Sequence, residues 1–167
     1  VYYLRALAKA VEVFGNDSKE VASILEYLGA TYNLLEQYEK AEVYYLRALA
    51  KAEEVFGNES EEVVAILGYL GDTSHTWLEQ YEKAEVYYLR ALEIAEEVFG
   101  NDSEEVALIL TNLAKTYVLL EPFGKAELKR YKKAETYFLR ALAIAEEVFG
   151  NDSKEVAAIL EYLARTY

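Results

Sequence analysis

The chain has no cysteine, and it has only one proline and one histidine among its 167 residues. Without cysteine, disulfides, zinc–thiolate centres and thiol catalysis are excluded. A single histidine, His75, cannot form a histidine-based metal cluster, and a lone histidine near a helix end is usually structural. No glycine-rich loop of the phosphate-binding type is present. We therefore expect no catalytic residue, no metal site, no cofactor and no enzymatic activity.

Basic residues and long apolar runs are also scarce. Lysine and arginine together number 17 against 30 aspartates and glutamates, which gives a net charge of −13. A nucleic-acid-binding protein needs a basic surface, so this balance argues against one. No apolar run approaches the length of a bilayer span, and no charged-then-apolar leader opens the chain. We expect a soluble, cytoplasmic protein that binds neither nucleic acid nor membrane.

What the chain does contain is a repeat. The string "EVFG" or a near copy of it ends at four glycines spaced by 42, 43 and 50 residues: Gly15, Gly57, Gly100 and Gly150. Within each repeat, apolar side chains recur at three- and four-residue steps in two segments, which predicts a pair of amphipathic helices. One pair cannot bury both apolar stripes, so we predict an all-α fold in which neighbouring pairs stack as an α-solenoid.

The repeat predicts eight helices in a single array. Residues 1–14 correspond to a second helix, three helix pairs follow, and residues 152–167 correspond to a first helix. The predicted pairs span residues 17–56, 59–99 and 102–149. Asp17 and Glu20 fit a capping box at the start of the first pair. Because the unpaired end helices are complementary, we expect head-to-tail association of copies, the alternative being end helices that fray.

The recurring residues resemble a known signature. They are Leu25, Leu28, Gly29 and Tyr32 in the first helix, then Ala41, Tyr45 and Ala48 in the second. This order resembles the tetratricopeptide repeat (TPR), and the 42-residue period with "RALAKAEEVFGND" is similar to the kinesin light chain variety. The proline usual near the end of the second helix is absent. The resemblance implies a right-handed α-solenoid whose first helices line a concave groove for a protein or peptide.

The second helices of the copies barely differ, whereas the first helices vary at a restricted set of positions beside the apolar stripe. That variation can encode a ligand or can be neutral drift on a surface. Because acidic and aromatic side chains dominate it, a carboxylate clamp is not favoured. An extended peptide with basic or apolar residues at one end and an acidic residue at the other fits better. The candidate residues are Ser23, Glu26, Tyr27, Ala30, Asn33, Gly68, Tyr69, Asp72, Thr111, Asn112, Lys115, Glu161, Tyr162 and Arg165.

The rival interpretation is a structural or engineered repeat scaffold whose partner is a second copy of itself. The high identity between the repeats supports it. Association without any ligand would favour this rival, whereas a specific peptide would favour recognition.

Two irregularities interrupt the repeat. Ser74 is one residue too many within a first helix, which predicts a π-bulge or an early helix end. Trp77, nearby, is expected to fill the space left by a missing tyrosine, the alternative being an exposed anchor.

The second irregularity is an insertion of eight residues, in which residues 121–127 nearly duplicate residues 129–135. We expect the helix to run from about residue 123 to residue 149, with a loop as the alternative. Its basic residues form a possible projecting contact: Lys125, Lys129, Arg130, Lys132 and Lys133.

Overall fold

The computed structural model describes residues 2–120 and 126–166, and it describes only the backbone of residues 126–128. Across those residues it contains eight α-helices, one π-helical turn and no strand. The helices are α1 (Tyr2–Phe14), α2 (Lys19–Leu34), α3 (Tyr38–Phe56), α4 (Glu61–Asp72), α5 (Tyr81–Val98), α6 (Glu104–Leu119), α7 (Ala126–Phe149) and α8 (Lys154–Thr166). The predicted all-α fold with eight helices is therefore confirmed.

The chain forms two compact units, Val1–Glu79 and Gln80–Tyr167. In the first unit α2 packs against α1 and α3, and α3 packs against α4. In the second unit α6 packs against α5 and α7, and α7 packs against α8. Each unit thus stacks consecutive helices, as the paired apolar stripes predict.

Each core combines large aromatic side chains with small residues of the same second helices. Tyr45 in the first unit, and Tyr88 and Phe138 in the second, are almost completely buried. The alanines that recur in the second helices have no exposed surface: Ala41, Ala48, Ala84, Ala91, Ala134 and Ala141. Small side chains let helix axes approach closely, and the rings fill the remaining space. Tyr45 and Tyr88 are therefore packing residues.

The first helices begin at a serine rather than at the predicted aspartate. Ser18 Oγ accepts a hydrogen bond from the Val21 amide at 3.4 Å, and Ser103 Oγ accepts one from Val106 at 3.3 Å. Ser60 and Ser153 cap their helices in the same way. The predicted Asp17–Glu20 capping box is wrong, because Asp17 lies one residue outside the cap. Its carboxylate instead pairs with Lys51 Nζ at 2.6 Å.

The extra residue of the first unit is accommodated as a π-helical turn, Thr73–Trp77, which continues α4. The Leu78 amide donates to the carbonyl of Thr73, five residues back, at 3.2 Å. Of the two predicted outcomes, the π-bulge is the one observed. Trp77 does not fill an interior gap, because it is 51% exposed and stacks on Tyr38 with ring centroids 4.8 Å apart.

The eight-residue insertion leads into α7, which at 24 residues is longer than α3 with 19 or α5 with 18. Residues 126–130 are therefore helical, as predicted, and do not form the alternative loop. The predicted start near residue 123 lies outside the described residues.

Candidate binding surfaces on the first helices

In the second unit, α6 and α8 enclose an open cleft of about 280 Å³ whose floor is formed by α7. Three of the candidate residues, Thr111, Lys115 and Tyr162, contribute to its walls, together with Leu108 and Ala158, which also differ between the repeats. Ala145 and Phe149 of α7 form the floor. The structure therefore brings together side chains that the sequence singled out because they vary.

The cleft is apolar inside and charged at its two ends. Lys115 Nζ lies 4.6 Å from the centre of the Tyr162 ring and donates to Asn112 Oδ1 at 3.3 Å. Glu104 and Glu155 line the other end, where α6 and α8 begin. The cation over the ring is held by a cation–π contact and a neutral amide. Its charge remains available to a ligand.

The remaining predicted residues of this unit lie beside the cleft. Arg165 pairs with Glu161 at 2.5 Å along α8, and both side chains are well exposed. Asn112 orients Lys115 through the hydrogen bond described above. These three residues can contribute at the rim of the cleft.

In the first unit, exposed tyrosines mark the first helices. Tyr27 of α2 is 55% exposed and stacks on Tyr3, with ring centroids 6.1 Å apart. Tyr69 of α4 is 42% exposed and stacks on the buried Tyr45 at 5.4 Å. Stacking holds each ring in place while leaving one of its faces or edges accessible. Such rings can contact a ligand with little loss of side-chain entropy.

The electrostatics of this tyrosine surface are acidic. Burial, and then the nearby charge of Glu62, raise the pKa of Glu26 above its ordinary value. Burial also raises the pKa of Tyr69, and the carboxylates of Glu26 and Asp72 raise it further. Burial is the main cause that raises the pKa of Tyr45 to about 12. The charges of the predicted residues Glu26 and Asp72 therefore help to raise the pKa of both Tyr69 and Tyr45.

The other predicted residues of the first unit divide between surface and interior. Ser23 is exposed, and Ala30 and Gly68 are partly exposed. Asn33 is used inside the unit, where its Nδ2 donates to Thr73 Oγ1 at 3.1 Å. The Oδ1 atom of Asn33 is buried. Asn33 therefore supports the π-helical turn and does not present its amide on the surface.

Three residues of the basic cluster line a groove at the start of α7. Lys129, Arg130 and Lys133 line a groove of about 250 Å³ together with Glu82 and Glu85 of α5. Lys132 is exposed, and Lys125 lies outside the described residues.

Lys133 is held within its own unit. It lies over the Tyr117 ring at 5.0 Å and donates to the Tyr117 hydroxyl at 3.2 Å. That hydroxyl donates in turn to Glu85. Burial, followed by the hydrogen bond to Glu85, raises the pKa of Tyr117. Lys133 is thus linked to an acidic residue of its own unit through Tyr117, and a projecting contact formed by the basic residues of the insertion stays a prediction.

Sequence reasoning missed several lining residues. In the second unit these are Glu104, Ala107, Ala145, Phe149, Glu155 and Ile159. In the first unit a cleft of about 340 Å³ lies between α1, α2 and α3, with Leu4, Val11, Arg47 and Lys51 among its walls. Most of these positions recur almost unchanged between repeats, so the search for variable positions passed over them.

Two further features bear on the class of protein. Among residues 2–120 and 126–166, no group of three or more metal-ligating side chains could hold an ion. None of the helices in those residues is long and apolar enough to span a bilayer.

The tetratricopeptide repeat model matches residues 2–54, 20–77, 65–127 and 123–167, so its successive matches extend over almost the whole chain. The chain belongs to the tetratricopeptide repeat family. Its fold class is therefore the helical-repeat α-solenoid of that family, and proteins of this family generally mediate protein–protein interaction or act as scaffolds.

Solved structures resemble this TPR chain over nearly its full length. The crystal structure of BtubC (BKLC) from P. vanneervenii matches with a TM-score of 0.82 and 26% identity over 99% of this chain. The chain spans 62% of that BtubC chain.

Two structures of a Podosopora anserina protein described as a kinesin light chain with nearly identical TPR-like repeats also match, both at 14% identity. Their TM-scores are 0.80 and 0.79, and each match covers 99% of this chain and 74% of the other. At that identity the likeness concerns the fold. A search of curated proteins found no significant match.

Proposed function

We propose that this TPR chain is a non-catalytic module that binds a protein or peptide segment on the exposed side of its first helices. The observation that carries the proposal is the cleft between α6 and α8. Positions that vary among otherwise similar repeats form part of its walls. A concave, mostly apolar site with a few polar groups is the usual form of a binding site.

The internal comparison of repeats adds chemical detail. The positions of Leu108, Thr111 and Lys115 in α6 correspond to Ser23, Glu26 and Ala30 in α2. The repeat pattern is thus kept, while the leucine, threonine and lysine of α6 are replaced in α2 by serine, glutamate and alanine. Such an exchange changes what each unit can bind without disturbing its core.

The surface of the first unit supports the same function with a different preference. Tyr27 and Tyr69 are exposed rings that neighbouring tyrosines hold in place, and Glu26 and Asp72 are acidic. Tyrosine is enriched at the energetic centres of interfaces because it combines a large apolar ring with a polar end. Acidic side chains beside such rings favour a basic group on the ligand.

The proposal is tested by selecting ligands from a random dodecapeptide display library with the full chain as bait. Leu108→Arg places a long charged side chain at the wall of the cleft and is expected to reduce the binding of selected peptides more than tenfold. Leu139→Arg is the matched control, because Leu139 is also an exposed leucine of the second unit but lies on α7, outside the cleft. Circular dichroism establishes that both variants fold.

Two results would count against the proposal. One is a library from which no peptide is enriched. The other is an equal effect of the two arginine variants on binding. The rival, head-to-tail association of copies, stays a prediction. Light scattering of the chain across a concentration series without peptide measures it directly, and concentration-dependent growth in mass would favour it.

A further inference from the structure

We infer, on the basis of the proposed function, that the α6–α8 cleft takes a peptide with one apolar side chain between a basic and an acidic residue. The acidic residue lies at Lys115, and the basic residue lies at Glu104 and Glu155. The inference rests on the order of charges along the cleft and on its size.

The charges are separated along the direction of the helices. Glu104 is the first residue of α6, and Lys115 follows eleven residues later on the same helix. At 1.5 Å per residue this separation is about 16 Å. An extended chain advances about 3.3 Å per residue, so two ligand residues about five positions apart can reach both ends.

The two ends carry opposite charge with little compensation from the chain. Across the described residues, neither Lys115 nor Glu104 forms an ion pair. Within residues 2–120 and 126–166, Glu155 has only the highly exposed Lys154, at 3.6 Å, as an ionic partner. A ligand that brings an acid to Lys115 and a base to the glutamates therefore completes pairs that the chain leaves open.

The space between the charged ends suits a single apolar side chain. Leu108, Ala158 and Ile159 form apolar walls above a floor of Ala145 and Phe149. The volume of about 280 Å³ lies near the lower end of the range of about 300–1,000 Å³ typical of ligand sites. This space accommodates one anchor residue such as leucine with its flanking backbone.

The repeat provides an internal contrast. At the position of Lys115, α2 carries Ala30, and at the position of Thr111 it carries Glu26. The corresponding surface of the first unit therefore lacks the cation and gains a carboxylate. The charge order proposed here is specific to α6 and α8.

The experiment uses the full chain and four fluorescein-labelled peptides with a central leucine. Two peptides carry a lysine and a glutamate five residues apart, in either order, because the direction of the ligand in the cleft is open. The other two carry two lysines or two glutamates. Fluorescence anisotropy measures each dissociation constant. One of the mixed-charge peptides is expected to bind about fivefold to tenfold more tightly than either like-charged peptide.

A charge reversal identifies the residue responsible. Lys115→Glu is expected to transfer the preference from the mixed-charge peptide to the double-lysine peptide, and Lys115→Gln to remove the preference over the double-lysine peptide. Lys9→Glu makes the same change in net charge on an exposed helix face of the first unit and is expected to leave the preference unchanged. Circular dichroism of each variant establishes folding.

The outcomes separate the two proposals. If library peptides bind in a Leu108-dependent manner but show no charge preference that Lys115→Glu alters, the charge order is wrong and the binding function stands. If neither the library nor the four peptides bind, both proposals fall.

Discussion

The backbone of Gly29 lies against the ring of Tyr45 so closely that a Cβ on Gly29 would approach two ring carbons to 2.6 Å. Tyr45 is almost fully buried, so its ring cannot move aside into solvent. Gly29→Ala is therefore expected to lower the free energy of unfolding by about 1–3 kcal/mol, despite the higher helix propensity of alanine. Urea unfolding followed by circular dichroism measures the change.

Gly68 is the matched control for this substitution. It also lies in a first helix of the first unit, but a Cβ at Gly68 would meet no atom within 4 Å. Gly68→Ala is expected to stabilise the protein by about 0.5–1 kcal/mol, because alanine loses less backbone entropy on folding. Equal effects of the two substitutions would contradict the packing role assigned to Gly29.

Glu26 gives the first unit a pH dependence whose sign follows from its raised pKa. Burial and the charge of Glu62 favour the protonated form in the folded state. The contribution of Glu26 to stability is therefore fully present below about pH 4, and it is lost as the pH rises through the raised pKa. Glu26→Gln is expected to raise the free energy of unfolding at pH 7 by up to about 1 kcal/mol, and to give no gain near pH 3.5.

Thermal unfolding at the two pH values measures this difference. Glu59→Gln, in the exposed loop before α4, makes the same change in formal charge and serves as the control. A gain for Glu26→Gln that is the same at both pH values would argue against burial of the carboxylate as its cause.

Ser103 caps α6 through its hydrogen bond from the Val106 amide. Ser103→Ala leaves that amide without its acceptor and is expected to cost about 1 kcal/mol of stability. The neighbouring Asp102→Ala is expected to cost less, since the structure makes the serine the cap. Chemical unfolding of the two variants provides the measurement, and a larger loss for Asp102→Ala would make the aspartate the cap of α6, the role that the sequence predicted for Asp17 in the first pair.

The π-helical turn contains two buried hydroxyls in opposite situations. Ser74 Oγ is buried without a hydrogen-bond partner in the described residues, whereas Thr73 Oγ1 accepts from Asn33 and donates to the Tyr69 carbonyl. Ser74→Ala is expected to leave stability unchanged or raise it by about 1 kcal/mol.

Thr73→Val removes the acceptor of the Asn33 amide and is expected to lower stability by about 1–3 kcal/mol. The shifts in melting temperature of the two variants are therefore expected to differ in sign, or to be clearly larger for Thr73→Val. A matching loss in both would indicate that Ser74 has a partner of its own.

The fold was predictable because its determinants are local and repeated. Apolar steps of three and four residues fix the helices, and glycines at Gly57 and Gly150 adopt the positive φ expected after a helix. The π-helical turn was predictable for a related reason, because a single residue added within a helix is accommodated either by a π-bulge or by an earlier helix end.

The cleft was predictable only in part. Thr111, Lys115 and Tyr162 stood out because they vary, but Phe149 and Ala145 are part of a nearly constant second helix. Lys133 stood out by its charge, yet it bonds to Tyr117, which in turn bonds to Glu85, and these residues are far apart in the chain. The cap position was missed because aspartate and serine, both good caps, stand side by side.

The π-helical turn also shows how local an insertion can be. Glu79, which follows the turn, has a positive φ of 51°. In the preceding repeat, which has no extra residue, the corresponding Glu36 has a φ of 58°. Gln37 and Gln80, the residues immediately before α3 and α5, then have almost the same backbone angles. Five residues thus absorb the extra length, and the following helix starts as though nothing had been added. Repeats of this kind can lengthen inside a helix, and not only in a loop, while the next repeat keeps its starting geometry.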